Sequence, residues 1–409
     1  MKLTDLEKNL VRAMEEMTII DAHEHLGPES QRTDATVDVF TLFSHYTRDD
    51  LLVARMSHDD YNKLFDRTIP LEARWALFAP YYERIRHGSY ARAARIAARA
   101  FYDVDDISDR TYVTLSERMR EANKPGLYDR VLRDACRIKV ALTQCGSTDL
   151  GGSSMLRPVM PMAYPMERGA DLTRPPFDPE ASIGSLDDYL DAMRAYVDRV
   201  KAQGAVGLKM FSNPYEAPSR EEAASAFSRV LTGEYEELPP VNPLRDFVVD
   251  EVIRYATELG LVVCVHTGYW GDFRMLDPTH MIPVLQRHPD ARFDIYHLGY
   301  PWMREAIMLG KGFTNVWLNL CWTHIISQRF AMAGLDELID MVPMNKIIGF
   351  GGDYGLPVEK VYGHLVMARE DIARVLARRV EDGDFSEERA IQLAHTWLYE
   401  NPTELYGLE

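Results

Sequence analysis

Four short segments end in residues that hold cations or move protons. Asp21-Ala22-His23-Glu24-His25 closes an apolar run that begins at Met17. In an extended chain residues i and i+2 point to one side, so His23 and His25 project together, and two neutral imidazoles so placed can grip one cation. Glu24 faces the other way and reads as structural. Val262-Val263-Cys264-Val265-His266 and Phe293-Asp294-Ile295-Tyr296-His297 each end an apolar run in a histidine. Ile347 to Asp353 ends in a carboxylate after Gly351 and Gly352, which let the backbone crowd a site. One histidine at a strand end is ordinary core; four such strand ends point to a shared metal site.

These ends must be brought together by the elements that carry them. Eight β-rich runs recur, at 17–26, 137–146, 155–164, 205–211, 261–268, 292–298, 315–320 and 346–353. Amphipathic stretches lie between the later ones, such as 185–204 and 243–260, each ending in Gly, a common helix stop. Continuously apolar strands alternating with helices imply a parallel sheet buried on both faces, and eight of them imply an α/β fold of the (β/α)8 TIM-barrel type. Barrel enzymes keep their chemistry at strand C-termini, which is where these residues lie. No GxGxxG opens a helix after the first run, which disfavours a dinucleotide crevice. Residues 28–136 break the alternation and read as helices, at 70–87, 89–103 and 109–123. We therefore expect a barrel built from 1–27 and 137–409, with 28–136 a helical insertion over its mouth. Two further helical patterns, 356–382 and 385–399, close the chain.

Composition narrows the partners. Of 409 residues, 46 are Lys or Arg and 63 Asp or Glu, a formal charge of −17 that repels phosphate backbones, so no nucleic-acid partner is expected. No apolar run approaches membrane-spanning length. The first residues, MKLTDLEKNLVRAMEEMT, contain no apolar stretch of secretory type. Cys136, Cys145, Cys264 and Cys321 are scattered without a CxxC pair and read as reduced thiols, so a cytoplasmic location is expected. The partner expected is a small-molecule substrate, and the acidic surface and long insertion are compatible with a symmetric homo-oligomer.

The lines IIDAHEHL, VCVHTG, DIYHLGYP, IGFGGD and LYENPTELYGL resemble the amidohydrolase superfamily, and most closely its amidohydrolase-related branch. That branch includes aromatic-acid and aminocarboxymuconate-semialdehyde decarboxylases, lactone hydrolases and hydratases. The resemblance covers 17–27 and roughly 137–409, while the insertion is similar to that of uronate isomerases. It implies that His23, His25 and Asp353 bind a metal with His266 as a fourth ligand, and that His297 is a catalytic or supporting histidine. Nitrogen and carboxylate donors without thiolates suit Zn²⁺ first, with Mn²⁺ or another divalent ion as the alternative. Such an ion brings the pKa of a bound water from about 15.7 toward ~7, Asp353 could take up its proton, and His297 could polarise the substrate.

Lys209 sits near the end of the fourth run. Binuclear members of the superfamily carry a carboxylated lysine there, in which case His266 and His297 would both bind a second metal. The favoured reading is an unmodified Lys209 facing an anionic substrate or serving as a wall residue. Tyr269, Trp270, Arg274, Tyr300, Trp302, Trp322 and His324 follow strand ends and could line a planar or sugar-like acid, with Arg274, Tyr300 and Trp322 preferred. Arg86, Arg92, Arg95 and Arg99 could reach a carboxylate but also read as a solvated helix face. His45, His58, His280, His288, His364 and His395 are taken as structural, His45 standing apart because it lies in the insertion. Hydrolysis of an amide, ester or lactone of a carboxylated molecule is the first reaction expected, then decarboxylation of an aromatic or muconate-type acid, then uronate-type isomerisation. The reading outside enzymology is a non-catalytic protein that binds a metal or a sugar acid.

Overall fold

A computed structural model describes residues 2–164, 170–234, 242–268 and 271–408. Eight strands fall inside the eight apolar runs: β1 (Ile19–Glu24), β2 (Ile138–Thr143), β3 (Leu156–Pro161), β4 (Gly207–Phe211), β5 (Val262–His266), β6 (Phe293–Ile295), β7 (Val316–Asn319) and β8 (Ile347–Ile348). All pair in parallel in the order β1 to β8. The sheet curls back on itself: Ala22 N–H donates to the Phe350 carbonyl at 3.2 Å and Asp353 N–H to the His23 carbonyl at 2.8 Å. The result is a (β/α)8 barrel.

β1 departs from simple alternation. Asp21 stands opposite Ala141 and Glu24 opposite Thr143, so three steps on β1 match two on β2. One extra residue there is a β-bulge, which re-aims side chains beyond it. Ile20 and Ala22 belong to the apolar interior, whereas Asp21 and Glu24 share the opposite side, where burial pushes both carboxyls up. The bulge thus turns His23 toward the interior without Asp21 following it.

The interior is plugged by Ile20, Val140, Val159, Val262, Cys264 and Ile348, with Tyr406 entering from the C-terminal helix Asn401–Tyr406. Helices pack outside, among them Leu186–Ala202, Pro243–Glu258 and the 23-residue Glu359–Glu381. Their N-termini follow from local chemistry: Ser185 accepts from Asp188 N–H, and Asn242 accepts from Leu244 and Arg245 N–H ahead of Pro243. Among the described residues no helix is long and apolar enough to cross a membrane.

Within 28–136 the longer helices are Leu71–Ile85, Ser89–Tyr102 and Tyr112–Ala122. They enclose their own apolar cluster, which includes Phe40, Phe43, Phe78, Tyr82, Leu115 and Met119. Helix Ser89–Tyr102 buries alanines on two sides: Ala91, Ala94 and Ala98 face that cluster, and Ala93 joins the main core. Ala93 also meets Gly363 of helix Glu359–Glu381 so closely that a Cβ on Gly363 would overlap the Ala93 carbonyl oxygen. Alanine favours a helix over glycine by about 1 kcal/mol. The atom in the way is backbone rather than a movable side chain, so the steric cost of about 1–3 kcal/mol wins. Gly363→Ala should therefore lower the urea midpoint, and Gly363→Val should lower it further; unchanged midpoints would show that the two helices are not locked together.

Candidate metal centre and active site

The ends of β1 and β6 converge on one buried carboxylate, Asp353, that follows β8. His23 Nε2 lies 3.2 Å and His25 Nε2 3.1 Å from Asp353 Oδ1, and His297 Nε2 lies 4.0 Å from Oδ2. Candidate ligand atoms of His23, His297 and Asp353 all fall within 4.8 Å of one another, and all three residues are fully buried. His23 Nε2 has no hydrogen-bond partner although it faces a carboxylate oxygen. A buried polar atom left so costs about 1–3 kcal/mol, which a bound cation would offset. His25 Nδ1 bonds the Gln144 main-chain carbonyl and His297 Nδ1 that of Cys321, each at 3.1 Å. A ring that donates from Nδ1 keeps the Nε2 lone pair free for a metal. The donor set fits a divalent cation.

The two later histidines both reach the centre, in different positions. His266 was expected on the ion and His297 near the substrate. The structure puts His297 in the tight group with His23 and Asp353, and sets His266 Nδ1 at 3.3 Å from His297 Nε2. The cause is the end of β6, which stops at Ile295 and continues with His297 at φ 65° and Leu298 at φ 46°. That left-handed turn redirects the imidazole in a way strand alternation does not foresee.

Burial sets the protonation states. It pushes His23 down to about 3 and His297 to about 4, and drives His266 well below the usual imidazole range. These rings are neutral donors at neutral pH. Burial alone would raise Asp353, but His23 and His25 more than offset it and hold the carboxyl well below its ordinary value. Burial lowers Lys209, whose ammonium feels Asp353 and has no hydrogen-bond or ion-pair partner among the described residues.

Tyr46, which the sequence did not single out, reaches the same carboxylate. Its hydroxyl donates toward Asp353 Oδ1 and Oδ2, each at 3.2 Å, across 307 residues of chain. Its ring lies 4.8 Å from Trp322, whose ring in turn lies 5.1 Å from His297. His45 lies beside it, 6.2 Å from the His25 ring, so it belongs at the site rather than with the structural histidines. Nothing in Ser44-His45-Tyr46-Thr47 marks it; a left-handed His45, φ 60°, aims the pair. Of the eight non-glycine residues with positive φ among the described residues, five are His45, His297, Leu298, Trp322 and Asp353. Such conformations cost about 1–3 kcal/mol each and gather where function demands them.

The other expected contacts divide. Trp322 is buried against the cluster. Tyr300 is half-buried and packs edge-on against Phe330, while Trp302 meets Phe273. Arg274 is not brought in: its side chain is 80% exposed and pairs with Asp272. His324 lies behind β8, bonded to Asp371 and the Gly349 carbonyl, each at 3.1 Å. Arg86, Arg92 and Arg99 are held by Asp106, Glu370 and Asp105, the first two half-buried and the third exposed. Tyr269 and Trp270 lie outside the described residues.

A family model described as amidohydrolase matches residues 159–408. The chain belongs to the amidohydrolase family. This amidohydrolase superposes on the uronate isomerase of Thermotoga maritima with a TM-score of 0.81 at 16% identity, covering 99% of this chain and 98% of that one. The glucuronate isomerase of Caulobacter crescentus gives 0.78 at 18% identity, covering 99% and 94%. At such identities the likeness is one of fold. The protein fluG of Emericella nidulans is 26% identical over 206 residues, 48% of this chain and 24% of fluG, so the match spans about a quarter of that relative. Family and centre together make this a metal-dependent amidohydrolase-type enzyme.

The thiols offer a check on the packing. Cys136, Cys264 and Cys321 are buried and Cys145 is partly exposed, and burial pushes the Cys264 thiol up to about 12. An aromatic disulfide reagent should label Cys145 alone in the native protein and the other three only after denaturation. Rapid native labelling of Cys264 or Cys321 would mean that the barrel interior is open.

Proposed function

We propose that the enzyme hydrolyses an amide, ester or lactone of a small carboxylated molecule, using one divalent cation, zinc before manganese, held by His23, His25, His297 and Asp353. The observation that carries this is the buried Asp353 carboxylate, faced by imidazole nitrogens and by the Tyr46 hydroxyl. A cation bound there would supply Lewis acidity, polarising a substrate oxygen and making water more acidic. The chain's own residues do the rest. Asp353 is an ionised carboxylate out of contact with solvent and can accept a proton from water. Tyr46 O–H can pass a hydrogen bond from Asp353 to a substrate oxygen. His266, edge-on to His297, can give or take a proton at the leaving atom. Lys209, without an ion-pair partner among the described residues, offers its ammonium to a substrate carboxylate, and the rings of Tyr46 and Trp322 exclude water on one side.

A second reading is isomerisation of a uronate-type acid. It is favoured by the superposition on uronate isomerases, which runs over 99% of the chain and so includes the segment that delivers Tyr46. The two reactions leave different marks. Hydrolysis puts one ¹⁸O from labelled water into the product acid; isomerisation of an aldose-type acid exchanges carbon-bound hydrogen with deuterated solvent instead.

Protein purified without chelator should hold about one cation per chain by elemental analysis. A ratio near two would make Lys209 a ligand. Asp353→Asn should lose the cation, and Tyr46→Phe should keep it yet lower kcat/KM by about 10²-fold, within the range of general acid–base effects. No metal-dependent turnover across lactones, amides, aromatic acids and uronates would defeat both readings.

A further inference from the structure

Gln144, the first residue after β2, touches both histidines of β1 by different atoms. Its main-chain N–H donates to the Glu24 carbonyl at 2.7 Å, and its carbonyl accepts from His25 Nδ1 at 3.1 Å. Its side-chain nitrogen lies 3.0 Å from His23 Nδ1 and 3.1 Å from the Tyr296 hydroxyl, while Oε1 is buried without a partner.

The two contacts have opposite consequences. Accepting from His25 Nδ1 leaves the His25 Nε2 lone pair free. The amide NH₂ instead gives one hydrogen to Tyr296 and the other to His23 Nδ1, so the His23 proton sits on Nε2, the nitrogen facing Asp353. That tautomer leaves an N–H facing Asp353 without a hydrogen-bond partner and excludes a cation, which needs the Nε2 lone pair. A half-turn of the amide about its last bond puts Oε1 in place of the nitrogen. Oε1 then accepts from both His23 Nδ1–H and the Tyr296 hydroxyl, and one amide atom is unpartnered in either orientation.

The groups below can follow this reversal. Tyr406 O–H donates to Asp294 Oδ2 at 2.6 Å and so has a lone pair to be filled. The Tyr296 hydroxyl lies 3.5 Å and Cys264 Sγ 3.3 Å from the Tyr406 oxygen. When Tyr296 turns its proton to Gln144, the Cys264 S–H can take over at Tyr406.

We propose that Gln144 is the positioning residue for the metal centre, setting the tautomers of both β1 histidines, and that its amide turns over when a cation enters. The inference rests on the metal-dependent reading above. Its test is the affinity of the full-length protein for Zn²⁺ and Mn²⁺, by competition with a chromogenic chelator, in the wild type, Gln144→Met and Gln144→Glu. Gln144→Met, of similar shape but without an acceptor, should bind about 10–100-fold more weakly. Gln144→Glu presents a carboxylate to His23 Nδ1–H and should match or exceed the wild type. ¹⁵N-histidine spectra should place the His23 proton on Nε2 without metal and on Nδ1 with zinc bound. The inference is overturned if Gln144→Met keeps wild-type affinity, if Gln144→Glu weakens alongside it while melting at the wild-type temperature, or if the tautomer is the same in both states. A wild type that binds neither ion would overturn the functional reading and this inference together; a wild type that binds, with Gln144→Met as its equal, overturns this inference alone.

Discussion

A fully buried carboxylate is the constraint around which this enzyme is arranged. Removing Asp353 from water costs several kcal/mol unless opposite charge or hydrogen-bond donors surround it. Imidazoles from β1 and β6 and the Tyr46 hydroxyl do so. To reach them the chain after β8 runs directly against β1. A Cβ on Gly351 would lie 2.5 Å from Cys321 Cβ and 2.9 Å from His23 Cβ, and one on Gly352 would overlap the Glu24 carboxylate. The hydrogen bond from Asp353 N–H to the His23 carbonyl is at once a seam of the barrel and the link between two halves of the centre. Closing the sheet and assembling the site are one event.

The same stretch of chain secures the insertion. Helix Glu359–Glu381 begins six residues past Asp353. Its first residue, Glu359, bonds Arg32 at 2.6 Å and also the Tyr102 hydroxyl. Its second, Lys360, donates to Thr47 Oγ1 at 2.9 Å and lies 5.4 Å from the ring centres of both Tyr90 and Tyr354. Gly363 then admits the backbone of Ala93. Breaking a buried ion pair by removing one partner costs about 3–5 kcal/mol, so the Arg32–Glu359 contact favours a single seating of the two parts. Tyr46 is placed on Asp353 because the residue after it, Thr47, is tied to the helix that follows Asp353.

Much of this was legible beforehand. The eight strands fell within their apolar runs because burial on both faces demands continuous hydrophobic residues, a signal local enough to read. His23, His25, His266, His297 and Asp353 stood out because strand C-termini in a barrel share one rim. The insertion's helices were visible in spacing alone, as in the alanine-rich stretch that became Ser89–Tyr102. Arg274 was less legible, because an arginine after a strand end is equally at home in solvent, where Asp272 pairs with it.

What the sequence determined by itself was periodicity and residue type: a parallel barrel, a helical insertion, and imidazoles and a carboxylate at one end of it. Only the tertiary structure decided which histidine faces the carboxylate and which stands behind it. It also brings Tyr46 against Asp353 and Gln144 against His23, and leaves Arg274 in solvent beside Asp272. These outcomes turn on single backbone torsions, at His45, His297, Trp322 and Asp353, and on one extra residue in β1. Each is a locally unfavourable or neutral choice held in place by packing from distant parts of the chain, so no window of sequence contains its cause.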